Sequence, residues 1–202
     1  MNMKTKTLVL AALATLWQTS AMAVPVQWTV GAGGNDHFYD IVGFGGIWTA
    51  ARAAALASSH NGQPGYLVTI TSSAEQSFIL GNVTSGDGFI GATDQTTEGV
   101  WIWADGPEGG MQFWSGASGG SATGPFNFAS WNSGEPNNLN NNEDYAHFRG
   151  GAWNDIPDVN AGAYLVEFNA VGQVAIPEPT SLLLLGLGFA GLAASRAKVK
   201  KG

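Results

Sequence analysis

The residues best equipped for chemistry lie close together in the second half of the chain. Trp131-Asn132-Ser133-Gly134-Glu135-Pro136-Asn137-Asn138 is followed by Glu143-Asp144-Tyr145 and then by Trp153-Asn154-Asp155. Glu135, Asn137, Glu143, Asn154 and Asp155 offer three carboxylates and two amides. Hard oxygen donors in that mixture are what Ca2+ takes into its adaptable shell. A proline between Glu135 and Asn137 can adopt the cis peptide at small cost, which would turn both flanking side chains to one side of a tight turn. A short strand from Asp144 to Phe148 would then return the chain so that Asn154 and Asp155 close the ring. The same asparagines also read as a plain polar loop, because Asn is a turn residue.

Catalysis fits the same residues less well. Glu135 and Glu143 could in principle serve a glycosidase as acid and base, but such a dyad needs one carboxyl raised and the other not. Three carboxylates with two asparagines suit a metal better. The chain has no G-x-S-x-G elbow, no phosphate loop and no cysteine nucleophile. The reading is therefore non-enzymatic. His37, His60 and His147 are too scattered for a zinc motif, and His147 falls on an expected strand where it packs.

The elements that must position these residues come as two early helices and mostly later strands. Short strands are expected at Trp28 to Val30 and Phe38 to Val42, around the Gly31-Ala32-Gly33-Gly34-Asn35-Asp36 turn. Trp48 to Ala57 is alanine-rich with Trp48, Ala51 and Ala55 on one face, which predicts a helix. His60 to Gly65 reads as a loop. Tyr66, Val68 and Ile70 alternate as on a half-buried strand, and Ser72 with Glu75 has capping-box spacing for a second helix ending at Gly81 or shortly after. Phe89 to Ala92, Trp101 to Ala104, Tyr145 to Phe148 and Ala163 to Phe168 read as further strands. The result is an α+β fold with a largely antiparallel sheet. Gly106 to Asn142 is a long glycine- and asparagine-rich stretch expected to hold little regular structure, a length that in a compact domain usually signals function or disorder. Trp101, Trp103, Trp131 and Trp153 sit in or beside strands and read as core aromatics, which leaves Trp114, in the loop, as the stacking candidate for a ligand.

Charge narrows the partners. All 15 acidic residues lie between Asp36 and Glu178, where the basic residues are Arg52 and Arg149 alone, giving the segment between the termini a formal charge of −13. Such a body repels phosphate backbones and anionic membrane surfaces and attracts cations, which excludes nucleic acid as a partner class. Eight Trp, ten Phe and four Tyr supply a core that a disordered chain would lack. The chain has no cysteine, so no disulfide can staple it.

Both termini read as targeting segments. Residues 1–23 have the three parts of a signal peptide: Lys4 and Lys6, the apolar run Leu8 to Leu16, and the Ala21-Met22-Ala23 cleavage site. The alternative is an N-terminal anchor, for which the apolar run is short. At the other end, Pro177-Glu178-Pro179-Thr180 precedes the apolar stretch Ser181 to Ala194 and the basic group Arg196, Lys198, Lys200 and Lys201. By hydropathy alone this is a marginal tail anchor with a positive cytoplasmic flank. The order of its parts closely resembles the PEP-CTERM sorting tail of Gram-negative bacteria. That resemblance implies transient inner-membrane attachment, removal of the tail by an exosortase, and release to the cell surface or exopolysaccharide matrix. The division expected is 1–23 signal peptide, 24–175 domain and 176–202 tail.

The middle of the chain resembles a C-type lectin-like domain. Trp48-Thr-Ala-Ala-Arg-Ala-Ala-Ala is similar to that family's first helix, and Leu67-Val-Thr-Ile with Ser73-Ala-Glu-Gln-Ser-Phe to the strand and helix that follow. Phe89-Ile-Gly-Ala-Thr-Asp-Gln-Thr-Thr-Glu-Gly and Trp101-Ile-Trp-Ala-Asp-Gly resemble the opening of its long loop. The resemblance implies that Glu135, Asn137, Glu143, Asn154 and Asp155 are the principal calcium ligands, with the Asp155 carbonyl as a sixth contributor. It also implies that vicinal sugar hydroxyls complete the shell against Glu135, Asn137, Glu143 and Asn154. Glu-Pro-Asn implies the mannose type (mannose, fucose or N-acetylglucosamine) rather than galactose. Asp94, Glu98, Asn138 and Asp144 with the Glu143 carbonyl match an auxiliary calcium site, where Asn138 replaces the usual Asp and removes one charge. The expected partners are glycans or polysaccharide. The rival is a structural or adhesive module that uses calcium to order its loop and binds surface proteins.

Overall fold

The computed structural model describes residues 24–84 and 87–172. The expected signal peptide and the sorting tail lie outside the described residues. Thirteen strands and α-helices follow one another as β1 (Val26–Gln27), β2 (Phe38–Gly43), α1 (Trp48–Ala57), β3 (Ser59–His60), β4 (Gln63–Leu67), α2 (Ser73–Asn82), β5 (Gly88–Thr93), β6 (Val100–Trp103), β7 (Gln112–Ser115), β8 (Ser121–Ala122), β9 (Tyr145–Arg149), β10 (Ala152–Ile156) and β11 (Ala163–Phe168). The C-terminal strand β11 is central. It pairs antiparallel with β2 along its whole length and with β4, and touches β5 in parallel at Tyr164 and Phe89. The sheet runs β1-β2-β11-β5-β6-β7-β8, with β9 on β5 and β10 on β9. Every strand pairing except β11 with β5 is antiparallel, so the α+β expectation holds.

Strand alternation sorts the core into two clusters, because neighbouring side chains point to opposite faces of a sheet. On β11, Tyr164, Val166 and Phe168 join Trp48, Ala51, Ala55, Leu67, Phe89 and Tyr145. Leu165 joins Ile79, Ile90, Trp101, Trp103, Phe113, Phe148 and Trp153 on the other side. Helix α1 has the expected bounds and buries Trp48, Ala51 and Ala55. The Trp48 indole donates to the Ile90 carbonyl at 2.8 Å and its ring stacks on Tyr145. Its N-cap position is Ile47, which has no side-chain acceptor. Asp158 supplies one from a distance, taking the Thr49 N–H at 3.2 Å and the Thr49 hydroxyl at 2.9 Å.

Several expectations need correcting. The first strand is Val26–Gln27 rather than Trp28 to Val30, because Val30–Ala32 closes into a 3-10 turn. The expected His60 to Gly65 loop is a hairpin: His60 pairs with Gln63 across Asn61-Gly62, both at positive φ. That is the Asn-Gly hairpin signal, and it moves the strand forward to Gln63–Leu67. Val68 and Ile70 do not alternate with exposed neighbours, since Thr69 is buried too. Ser72 caps α2 through the Glu75 N–H, but the Glu75 carboxylate turns to Thr71 instead of completing a capping box. Gly106 to Asn142 carries β7, paired onto β6, and β8, paired onto β7. Ala152–Ile156 is a further strand, β10, which forms a hairpin with β9 across Gly150-Gly151, both at positive φ.

Candidate metal centre

The loop that holds Glu135 is launched from β10. Trp131 bridges Trp153, the Asn132 N–H donates to the Trp153 carbonyl at 2.8 Å, and the Trp153 N–H donates to Ser130 at 2.8 Å. The Glu135–Pro136 peptide is cis. Glu135 and Asn137 meet, the Asn137 amide donating to Glu135 Oε2. Asn138, Asn140 and Asn141 then take left-handed backbone conformations, which Asn tolerates better than most side-chain-bearing residues. The turn reading of the asparagine run therefore holds. Their left-handed turns point main-chain N–H groups at the acids: Asn138 N–H donates to Asp155 Oδ2 at 2.7 Å and Leu139 N–H to Glu143 Oε2 at 2.8 Å. The Asn138 side-chain oxygen accepts the Glu143 N–H at 3.0 Å. On β10, Asn154 and Asp155 are both buried, and the Asn154 amide donates to the Asp155 carbonyl.

All five principal residues are therefore brought to one place, and their charges are not balanced. Burial, then Asp155 as a hydrogen-bond acceptor, then the charges of Asp155 and Glu143 raise the Glu135 carboxyl to about 7. Burial also raises Glu143. Asp155 Oδ1 is buried without a hydrogen-bond partner. Within residues 24–172 the Lys and Arg complement is Arg52 and Arg149, and Arg52 is taken by Asp105 at 2.7 Å. Clustered acids, amide oxygens beside them and an orphaned carboxylate oxygen fit a divalent cation.

The auxiliary acids form a tighter group. Asp94, Glu98 and Asp144 each offer an oxygen within 4.8 Å of the others. Asp94 Oδ2 accepts the Gly99 N–H at 2.8 Å, while its Oδ1 is buried and unpartnered. Burial first, then Glu98, Asp144 and Asp155, lift the Asp94 carboxyl to about 7 against the Gly99 hydrogen bond. The Asp144 carbonyl holds the pair of strands together, accepting from Asp94 N–H at 3.2 Å and the Thr93 hydroxyl at 2.7 Å. Asn138 bonds to the principal group, its N–H to Asp155 and its side-chain oxygen to the Glu143 N–H, so that oxygen is already partly engaged.

The description "Lectin C-type domain" matches residues 52–166 of the chain. This chain belongs to the C-type lectin family. A second description, the PEP-CTERM protein-sorting motif, matches residues 175–197. Halomucin of Haloquadratum walsbyi is 39% identical over 140 residues, which is 68% of this chain and 2% of that protein. Hepatic lectin of Gallus gallus is 35% identical over 92 residues, 45% of this chain and 37% of that one. The chain thus spans well under two thirds of these relatives. The crystal structure of the C-type lectin CEL-I from Cucumaria echinata superposes with a TM-score of 0.51 at 28% identity, covering 67% of this chain and 92% of that one.

Within this lectin domain the tryptophans divide differently from the expectation at one position. Trp101, Trp103 and Trp153 are fully buried and pack edge-on or stacked with Phe113 and Trp131. Trp114 is not in a flexible loop. It sits on β7 opposite Trp101, its ring 6.5 Å from that of Trp131 and its N–H donated to the Gly116 carbonyl. The ground for treating it as a stacking platform is therefore gone, since Trp114 is partly buried against the core cluster. His147 is buried opposite Asn154 on β9, and burial pushes its imidazole below the ordinary value. Leu139, whose N–H bonds to Glu143 Oε2, is 60% exposed and puts an apolar side chain in the otherwise polar run.

Proposed function

We propose that the domain is an exported, calcium-dependent carbohydrate-binding module with mannose-type preference. The observation that supports it most is the meeting of Glu135, Asn137, Glu143, Asn154 and Asp155 around carboxylates without a balancing cation. In this reading the side chains of those five residues and the Asp155 carbonyl hold Ca2+, and Asp94, Glu98 and Asp144 hold a second ion. Bound calcium supplies a Lewis-acidic seat for two vicinal hydroxyls. Glu135 accepts hydrogen bonds from those hydroxyls and the Asn137 amide donates to them, so the pair fixes which hydroxyl geometry is taken. Leu139 offers an apolar edge to the carbohydrate C–H face.

Delivery follows from the ends of the chain. The sorting motif at 175–197 indicates export and sorting in a bacterium. The proposed route is removal of residues 1–23, transient inner-membrane attachment through the tail, exosortase cleavage, and display at the cell surface or in the exopolysaccharide matrix. C-type lectin domains bind rather than catalyse, and no step here transforms the glycan.

The test is a calorimetric titration of CaCl2 into the metal-stripped chain, with and without mannose. One or two ions whose affinity rises with mannose, by thermodynamic linkage, support the reading. Calcium binding indifferent to a wide sugar panel replaces it with the calcium-ordered structural or protein-binding module. A folded chain that takes no calcium removes the site assignment and leaves the fold.

A further inference from the structure

Arg149 is a cation without an anion in an acidic domain. Arg52 and Arg149 are the Lys and Arg residues between 24 and 172, and Arg52 is held by Asp105 through two hydrogen bonds at 2.7 and 2.8 Å. Arg149 ends β9 and is exposed, and among the described residues it joins no ion pair. The acid set to compete for it is Asp87. That residue precedes Gly88, whose partner is Phe148, so continuing the register brings it opposite Arg149. Asp87 is exposed as well and makes no ion pair. The guanidinium is therefore open to a ligand from solvent.

The hairpin puts this cation at the rim of the principal group. Asn154 pairs with His147 and Ala152 with Arg149 across β9 and β10. Because strand side chains alternate, Arg149, His147 and Asn154 share one face, with Arg149 two residues, or about 7 Å, along from the His147–Asn154 row. The main chain ties it to the other half of the centre. The Asn132 side-chain amide donates to the Arg149 carbonyl at 3.0 Å, and the Asn132 carbonyl accepts the Glu135 N–H at 3.0 Å. Burial pushes the His147 imidazole down, and after burial come the charges of Asp87, Arg149 and Asp155, so Arg149 and a principal carboxylate act on one ring.

We propose that the glycan taken at this centre is an acidic one, a saccharide carrying a uronic acid, and that Arg149 binds its carboxylate while vicinal hydroxyls go to the calcium side. Uronate recognition rests on the calcium-dependent sugar binding proposed above and adds the ligand's charge to it. A guanidinium is planar and always charged, and its fork matches a carboxylate with two parallel hydrogen bonds. A neutral sugar offers that fork no charge to balance. In the same reading Glu135, Glu143 and Asp155 face one ion and Asp94, Glu98 and Asp144 the other, which leaves Asp87 as the acid opposite Arg149. A densely charged polymer such as nucleic acid still meets the acidic body and is repelled. A uronate instead brings its charge singly, among hydroxyls.

The probes are a glucuronic acid–mannose disaccharide and its methyl ester, titrated calorimetrically into the full chain in saturating CaCl2, with methyl mannoside alongside. The acid should bind about fivefold more tightly than the ester, the upper end for an exposed ion pair. High salt should shrink the difference, because it screens exposed charges. Arg149→Met should bring acid and ester to equal affinity, and Arg149→Lys should keep part of the difference, since an ammonium is a point charge without the fork. Asp87→Asn leaves Arg149 in place, removes its competitor and should widen the difference. Equal affinity for acid and ester in the unaltered chain would overturn the proposal, and so would a difference that persists in Arg149→Met. Methyl mannoside left unbound in CaCl2 is a distinct result, which removes the calcium–sugar reading itself and uronate recognition with it.

Discussion

Burial and the neighbouring acids hold the Glu135 carboxyl well above its ordinary range, so a proton and a cation compete for it. It and the Asp94 carboxyl stand at about 7, above the 4.5 and 3.8 of unperturbed Glu and Asp. Raised values in the folded state mean that the stabilising contribution of these two carboxyls is complete below their ordinary values and is lost as pH rises through about 7. The metal-free chain should therefore melt at a higher temperature at pH 6 than at pH 8, and added calcium should close or reverse that gap in a calorimetric scan. The same protons compete with calcium: below pH 7 its affinity should fall by up to about tenfold per unit for each proton displaced. Titrations in two buffers of different ionisation enthalpy measure that release directly. At the sugar, Glu135→Gln with Asn137→Asp should move preference from mannose toward galactose on a glycan panel, and unchanged binding in the double variant would break the assignment of those two side chains.

Hairpins do most of the positioning. Asn154 and Asp155 reach the loop because β10 returns on β9 across Gly150-Gly151, with Asn154 opposite His147. Helix α1 depends on a distant acceptor, so Asp158→Ala should cost about 1 kcal/mol of stability in a denaturant titration, the usual loss for a missing N-cap acceptor. The helices and the Glu-Pro-Asn turn were legible because their signals are local: three apolar positions on one face, a Ser cap, a proline between two oxygen-bearing side chains. Strands β7, β8 and β10 were not, because short glycine-rich strands gain their structure from a partner strand far along the chain. Asn61-Gly62 did carry a local hairpin signal, and it was masked by the alternating residues after it. The His37–Glu167 pair could not be read at all, since 130 residues separate its members.

As a whole molecule, the domain joins a strongly acidic surface to a core without disulfides. Anything that binds the folded form alone adds stability by mass action. Calcium at a hundredfold its Kd should contribute about 2.7 kcal/mol. That corresponds to roughly 5 to 10 °C in Tm for a domain of this size. Thermal scans with CaCl2 and with chelator check it; identical curves would mean that no ion is bound. The sorting motif at 175–197 begins seven residues after the central strand β11 ends at Phe168. The folded domain and the sorting motif are therefore close neighbours in the chain.

Retention of the full chain on immobilised mannose tests calcium-dependent sugar binding most directly. The chain should be held in CaCl2, released by chelator, and displaced by free mannose more readily than by galactose. Retention that ignores the chelator, or passage through mannose by a chain shown to bind calcium, would contradict it.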